Sequence, residues 1–327
     1  MKRFLVLVLS MMLSLVAIFS AGCNDESKQS YTFMAPDGAP ALAIAKLIND
    51  NDNLGTGKEV NYSVLSSTQI MPTFSSGGAD IMVVPVNVAS KFYKANGNDY
   101  VMVAVLTHGN FYIMSTTEIT TSDLKGKQVA VPNQGAVPDW TFKMVLDKYE
   151  LLNKTGSEQV TINYYQEGKN VVQSILAGSE TIGLVPEPAA TNLEAKYLQV
   201  KGSQLYRLDL QELYDSESKS YPQAVLMVKK SVLDKNSNLV STLQTKITES
   251  ANWIGQNVSS AVSAVNAKGG TTLDALTLSQ KAINGCKIYW ESAMGAKVSV
   301  KEYINKIIEI DSSKATAVSD DFFYVGA

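Results

Sequence analysis

The sequence predicts an α/β protein: two doubly wound lobes around a cleft, joined by two crossing segments. Three observations lead there. From residue 31 to about residue 113, apolar runs of strand length alternate with amphipathic helical stretches, the pattern of a parallel sheet covered on both faces. The alternation restarts beyond that point and continues to about residue 221. Finally, one phrase is written twice, as GGADIMVVPVNVASKF (77–92) and GSETIGLVPEPAATNL (178–193). Each copy has a small-residue turn, an apolar run ending in Val-Pro, a polar tip and an alanine-rich amphipathic stretch.

The chain has 327 residues, 45% hydrophobic and 18% charged, which suits a soluble globular protein of about two domains. Its net charge of −3 argues against a nucleic-acid partner. Residues 1–22 read as an export signal. Lys2 and Arg3 precede the apolar FLVLVLSMMLSLVAIF, and Ser20, Ala21 and Gly22 lead to Cys23. The apolar run is short for a membrane span, which takes roughly 20 residues. Small residues directly before a cysteine resemble the lipobox of bacterial lipoproteins. That resemblance implies a diacylglycerol on Cys23, which becomes the new N-terminus. The position three before the cysteine is usually Leu in that motif and is Ser20 here. Ordinary secretion with cleavage nearby, or an uncleaved anchor, are the alternatives. Residues 23–30 are a polar tether. Without the signal the chain carries 26 basic and 31 acidic groups, net −5. Cys286, in the apolar AINGCKIYW, reads as a small buried hydrophobe.

YTFMAP (31–36) alternates and reads as a strand, followed by the turn DGAP and a helix with Leu42, Ala45 and Ile48 on one face. VNYSVL (60–65) is a second strand, and the Ser/Thr group after it suits a helix cap. DIMVVP, the helix VNVASKFYKA and the strand YVMVAVLTH complete the first set. The second set opens with FYIMSTT, a helical turn and the strand QVAVP. VPDWTFKMVLDKYELL is the clearest helix: Pro138 suits its first turn, Asp139 its positive end, and Phe142, Val145, Leu146 and Tyr149 share a face. QVTINYY, the helix GKNVVQSILAG, the strand TIGLVP and the helix PAATNLEAKY follow. YPQAVLMVKKSVLDK reads as a return crossing, and residues 231–327 as mostly helical with no further strand–helix unit, packed on the first lobe. The repeated phrase then places the strand ends at Pro85 and Pro186 face to face. Ligands of parallel α/β sheets bind outside the carboxyl ends of the strands, so this is a ligand cleft.

The ordered set SAGC, APDGAPALAIAKL, GADIMVVPVN, GNFYIMS, LKGKQVAVPNQGAVPDWTFKMVLDKYEL, GLVPEPAAT, YPQAVLMVKKSVLDKN and VSDDFFY resembles the substrate-binding lipoproteins of bacterial ABC importers. The branch it is most similar to handles nitrate, sulfonates, taurine and thiamine-pyrimidine precursors. The resemblance spans essentially the whole chain after the signal. It implies the type II periplasmic-binding-protein fold, closure on a small-molecule ligand, delivery to a membrane permease, and a monomer lipid-anchored outside the cytoplasm, with no cofactor. It places lobe one at 31–113 plus 225–327 and lobe two at 116–221, with crossings near 114–116 and 222–225.

Helix N-termini and strand-end loops supply the candidate contacts, because unpaired N–H groups and hydroxyls gather there. In the first lobe these are Gly38, Ala39 and Pro40, then Ser66, Ser67 and Thr68, then Val86 and Asn87. His108, the only histidine, and Asn110 stand near the first crossing, and Tyr221 near the second. In the second lobe they are Asn133, Gln134, Gly135 and Ala136, and Glu187 at the tip of the second repeated strand. One histidine without clustered cysteines or carboxylates makes no metal site. Arginine occurs only at 3 and 207, so no bidentate clamp for a carboxylate falls in these loops. Two ligand types remain: a small anion such as a sulfonate held by N–H groups and hydroxyls, or a neutral or cationic heterocycle such as a pyrimidine that reads Glu187. The second is favoured. No nucleophile–base motif or phosphate loop is present. The alternatives are an enzyme on the same fold, of the pyrimidine-precursor or menaquinone-pathway type, and a stand-alone surface sensor. Turnover of a ligand would mark the first, and the absence of neighbouring permease and ATPase genes the second.

Overall fold

Two mixed sheets organise the chain in the structure, a computed structural model that describes residues 30–326. The signal, Cys23 and all of the tether but Ser30 lie outside the described residues. The first sheet has six strands in the order β11-β4-β10-β3-β1-β2. These are β1 (Tyr31–Pro36), β2 (Val60–Leu65), β3 (Ile81–Pro85), β4 (Tyr100–His108), β10 (Pro222–Lys229) and β11 (Ile288–Ser292). The second has five, in the order β7-β6-β8-β5-β9: β5 (Phe111–Ser115), β6 (Gln128–Pro132), β7 (Thr161–Tyr165), β8 (Ile182–Pro186) and β9 (Tyr206–Asp209).

The two repeated strands hold equivalent places. β3 closes the parallel trio β2-β1-β3 and pairs antiparallel with β10. β8 closes the parallel trio β7-β6-β8 and pairs antiparallel with β5. In each case the antiparallel neighbour has just come across from the other sheet. Both strands are buried on both faces, which is why they read as unbroken apolar runs. Met82 and Val84 face one apolar cluster, Ile81 and Val83 the other.

Helices cover both faces of each sheet. On one side of the first sheet, Leu42, Leu47 and Ile48 pack with Leu243, Ile247 and Val265 of the helices Leu239–Ile254 and Val258–Ala267. On one side of the second, Val171, Ile175 and Leu193 pack against Met114, Ala130 and Val185. A further cluster runs through both sheets, from Val84 and Val86 to Val131, Val137, Trp140 and Phe142. The helix Lys297–Ile310 belongs to it through Tyr303, Ile304 and Ile307. Each such side chain, fully buried, contributes about 1.5–3 kcal/mol relative to exposure. Residues from Tyr31 onward therefore form one compact unit.

Four sequence expectations change. β10, taken as a return crossing at 222–225, is a central strand: PQAVLMVK is apolar on both faces because strands flank it on both sides. β5, read from its pattern as opening the second set but divided by the lobe boundary at 113 and the crossing at 114–116, lies wholly in the second sheet, so the first passage falls earlier, at Gly109–Asn110. The second passage lies before Pro222. β11 adds an edge strand in a region read as mostly helical, and Lys297–Ile310 reaches the second sheet's helix Val137–Lys148, not lobe one alone. There Thr141 Oγ1 and Tyr303 Oη lie 2.5 Å apart.

The passages meet at one contact. Gly109 N–H donates to the Tyr221 carbonyl at 3.0 Å. A Cβ on Gly109 would stand 2.3 Å from Tyr221 Cε1 and 2.7 Å from Gln211 Cγ. Gly109→Ala is expected to destabilise the fold by about 1–3 kcal/mol through overpacking, read as a lowered urea midpoint. An unchanged midpoint would show that the ring does not seal the crossing.

Candidate functional site

The carboxyl ends of β3, β6 and β8 carry three of the predicted tips to the space between the sheets. After Pro85 the helix Val86–Phe92 begins, with Val86 fully buried and Asn87 3% exposed. Asn87 Nδ2 donates to the Gly135 carbonyl at 3.4 Å, linking the two sheets' tips, and its Oδ1 is buried without a partner. The Asn133–Ala136 loop leads into Val137–Lys148, where Asp139 turns back to accept from Gly135 N–H at 2.8 Å. Tyr164 Oη (2.9 Å) and Lys143 Nζ (3.1 Å) also donate to that carboxylate. Asn133 is half-buried and Gln134 exposed.

The third tip carries Glu187, whose side chain is wholly buried. Its carboxylate accepts from Arg207 Nη2 (3.0 Å), Thr191 N–H (3.0 Å) and Thr191 Oγ1 (2.7 Å). Arg207 lies on β9 and reaches Glu187 across the ring of Tyr112 on β5, 3.6 Å from its centroid. It also donates to Glu194 at 3.2 Å. Burial works against the guanidinium's charge, but Glu187 and then Glu194 outweigh it and hold its pKa above the ordinary value. On the other side Gly285 leaves room for Glu187: a Cβ there would lie 2.7 Å from Glu187 Cγ. Glu187 is thus already satisfied, and the expectation that it reads a cationic or N–H-rich ligand does not match its surroundings. Sequence reasoning left Arg207 aside because its partner lies two strands away in a sheet order that local pattern does not reveal.

His108 and Tyr221 are also occupied. His108 Nε2 lies 3.0 Å from Glu291 Oε2, and the ring stacks on Tyr289 at 3.6 Å. Tyr221 stacks on Tyr303 at 5.6 Å, and burial pushes its phenol far above the ordinary pKa. Asn110, 1% exposed, is bonded both ways to the third tip. Glu187 N–H donates to its carbonyl (2.9 Å) and its Nδ2 donates to the Glu187 carbonyl (3.3 Å). Asn110 Oδ1 is buried and unpartnered.

The two remaining tips are less enclosed. Ser66 N and Oγ donate to Gln69 Oε1, a capping arrangement, while Ser67 and Thr68 are exposed. Ala39 and Pro40 are buried in a short helix, and Gly38 N–H donates to Asp37. Asp37 in turn accepts from Thr271 and Thr272, a link that no sequence pattern announced. Of two depressions, one of about 480 Å³ lies beside Ile48 and Ser263 on outer helices, and one of about 440 Å³ is lined by Thr191, Glu194 and Leu198, bordering the Glu187–Arg207 pair. Removing Arg207 strands a buried carboxylate. Arg207→Leu is expected to cost about 3 kcal/mol in chemical denaturation, and parental stability would mean that Glu187 is solvated.

No family model matches the chain, and no curated protein matches it. Solved structures do. An ABC transporter protein from Parabacteroides distasonis superposes with a TM-score of 0.72 at 19% identity, over 91% of this chain and 99% of that one. The periplasmic aliphatic sulphonate binding protein of Escherichia coli gives 0.64 at 13% identity, over 92% and 94%. The periplasmic nitrate-binding protein of Synechocystis gives 0.62 at 11% identity, over 90% and 84%. At such identities the likeness is one of fold: the chain has the two-sheet architecture of periplasmic binding proteins over nearly all of its described length.

Proposed function

We propose that the protein is an extracytoplasmic substrate-binding protein. It captures a small organic molecule between its two lobes and delivers it to the membrane permease of an ABC importer. It works as a monomer held to the bacterial cell membrane by a lipid on Cys23. The observation that carries the reading is the opposition of the two repeated strand tips. β3 and β8 occupy equivalent places in their sheets: the tip of β3 bonds to the loop after β6 through Asn87 and Gly135, and the tip of β8 bonds through Glu187 to Asn110 at the first passage. The shared fold and the signal-like N-terminus support it.

In this reading Asn87, Asn110 and the Asn133–Ala136 loop contact the ligand. Gly38–Pro40 and Ser66–Thr68 form the rim. Glu187, His108 and Tyr221 hold the frame through partners of their own. The passages at Gly109–Asn110 and before Pro222 are the hinge.

A thermal-shift screen of a broad small-molecule library tests capture. A ligand at ~100 times its Kd stabilises by about 2.7 kcal/mol, and calorimetry should return one molecule per chain. A library without any stabilising compound would count against capture. For the anchor, Cys23→Ala should move the protein from the membrane fraction to the soluble fraction and abolish labelling by a fatty-acid analogue. Retention of the label would place the lipid elsewhere.

A further inference from the structure

We propose that the ligand is a small neutral molecule presenting at least two N–H or O–H donors to the side-chain oxygens of Asn87 and Asn110. This rests on the binding-protein reading above and specifies the chemistry of that site. The orientation of both amides is set by the bonds that they already make. Asn87 Nδ2 donates across the gap to the Gly135 carbonyl, and Asn110 Nδ2 donates to the Glu187 carbonyl, its neighbour in the continuation of the β5–β8 ladder. What remains on each is the oxygen, an acceptor that cannot donate. Both residues are more than nine-tenths buried, and neither oxygen has a partner. About 90% or more of buried polar groups in native proteins are paired, so two such acceptors together point to a missing donor.

Their placement is that of a site. Asn87 follows β3 and Asn110 follows β4, and β10 alone lies between those strands. At the mouth of β10, between them, Gln223 Oε1 is a third buried acceptor without a partner. Asn87 and Gln223 thus stand at one end of the first sheet, and Asn110 at the passage into the second.

The surrounding charges are already matched. Glu187 faces Arg207, Arg207 is shared with Glu194, and Asp139 is held by Lys143, Tyr164 and Gly135. An anion made only of acceptor oxygens would be repelled by the side-chain oxygens of Asn87, Asn110 and Gln223. The polarity is therefore the reverse of what the sulphonate- and nitrate-binding proteins of the same fold, as described, have to accommodate.

The test is calorimetry of the purified protein at pH 7.5 with two probe sets. One holds cytosine, adenine and 4-aminopyrimidine; the other holds nitrate and methanesulfonate. The expected result is binding in the first set alone. Asn87→Leu and Gln223→Leu should each weaken it about fivefold to tenfold, the worth of one hydrogen bond, while Asn87→Asp, which keeps an acceptor oxygen, retains it. Asn110→Leu also severs the bond to Glu187 and Asn87→Leu the bond to Gly135, so the effect of either counts only if its melting curve stays cooperative; Gln223→Leu carries the test in either case. Binding of nitrate or methanesulfonate would overturn the ligand class and leave the binding-protein reading standing, as would a neutral ligand indifferent to Asn87→Leu. Silence in both sets, together with a silent library screen, would overturn both.

Discussion

The chain passes between its two sheets twice, and both passages are fixed by the contact of Gly109 with Tyr221. The glycine N–H is bonded to the tyrosine carbonyl, and the tyrosine ring occupies the space where any other side chain would stand. Behind that ring lie Tyr303, stacked parallel, and Tyr214, edge-on. The strand order of each sheet follows from this crossing. β5 enters the second sheet directly after it, and β10 enters the first directly after Tyr221, each as the antiparallel neighbour of a repeated strand. The opposition of the tips is therefore a product of how the chain crosses, not of the tips themselves.

The electrostatics follow the same geometry. Burying Glu187 costs desolvation that is offset only by a close, well-oriented partner. Arg207 provides it by lying across Tyr112, where ring stacking and the carboxylate act on one guanidinium. Once that pair has formed, Glu187 offers no free charge at the strand ends. Cys286, next to Gly285, is buried beside Glu187; burial first and that carboxylate second push its thiol up, so it is an inert core side chain and not a nucleophile.

Much of the architecture was legible because burial leaves a period in the sequence. The repeated strands announced themselves as apolar runs ending at proline, and Val137–Lys148 through its spacing of Phe142, Val145 and Leu146. β10 was visible as apolar but not as central, since a run buried on both faces has no alternation to give its place. β11 was missed because IYWES is short, half-exposed and set among helices. In the site, loop positions could be named from the strand ends, but the state of each side chain could not. The Glu187 carboxylate has partners and Asn110 Oδ1 has none, and that depends on Arg207 and on the crossing, both distant in sequence. Asn87 was singled out for its position; its unpaired oxygen is a fact of packing.

The first sheet has one further consequence, for the order of events as the chain is made. Its centre pairs β4 with β10, residues roughly 120 apart in sequence, and its edge waits for β11. Until those late segments emerge, β3 and β4 each lack a neighbour, and the first two hundred residues cannot close their own core. Contacts of such long sequence separation form slowly, because the intervening loop must be ordered first. A sheet completed only by its final third therefore closes late, after most of the chain has been made.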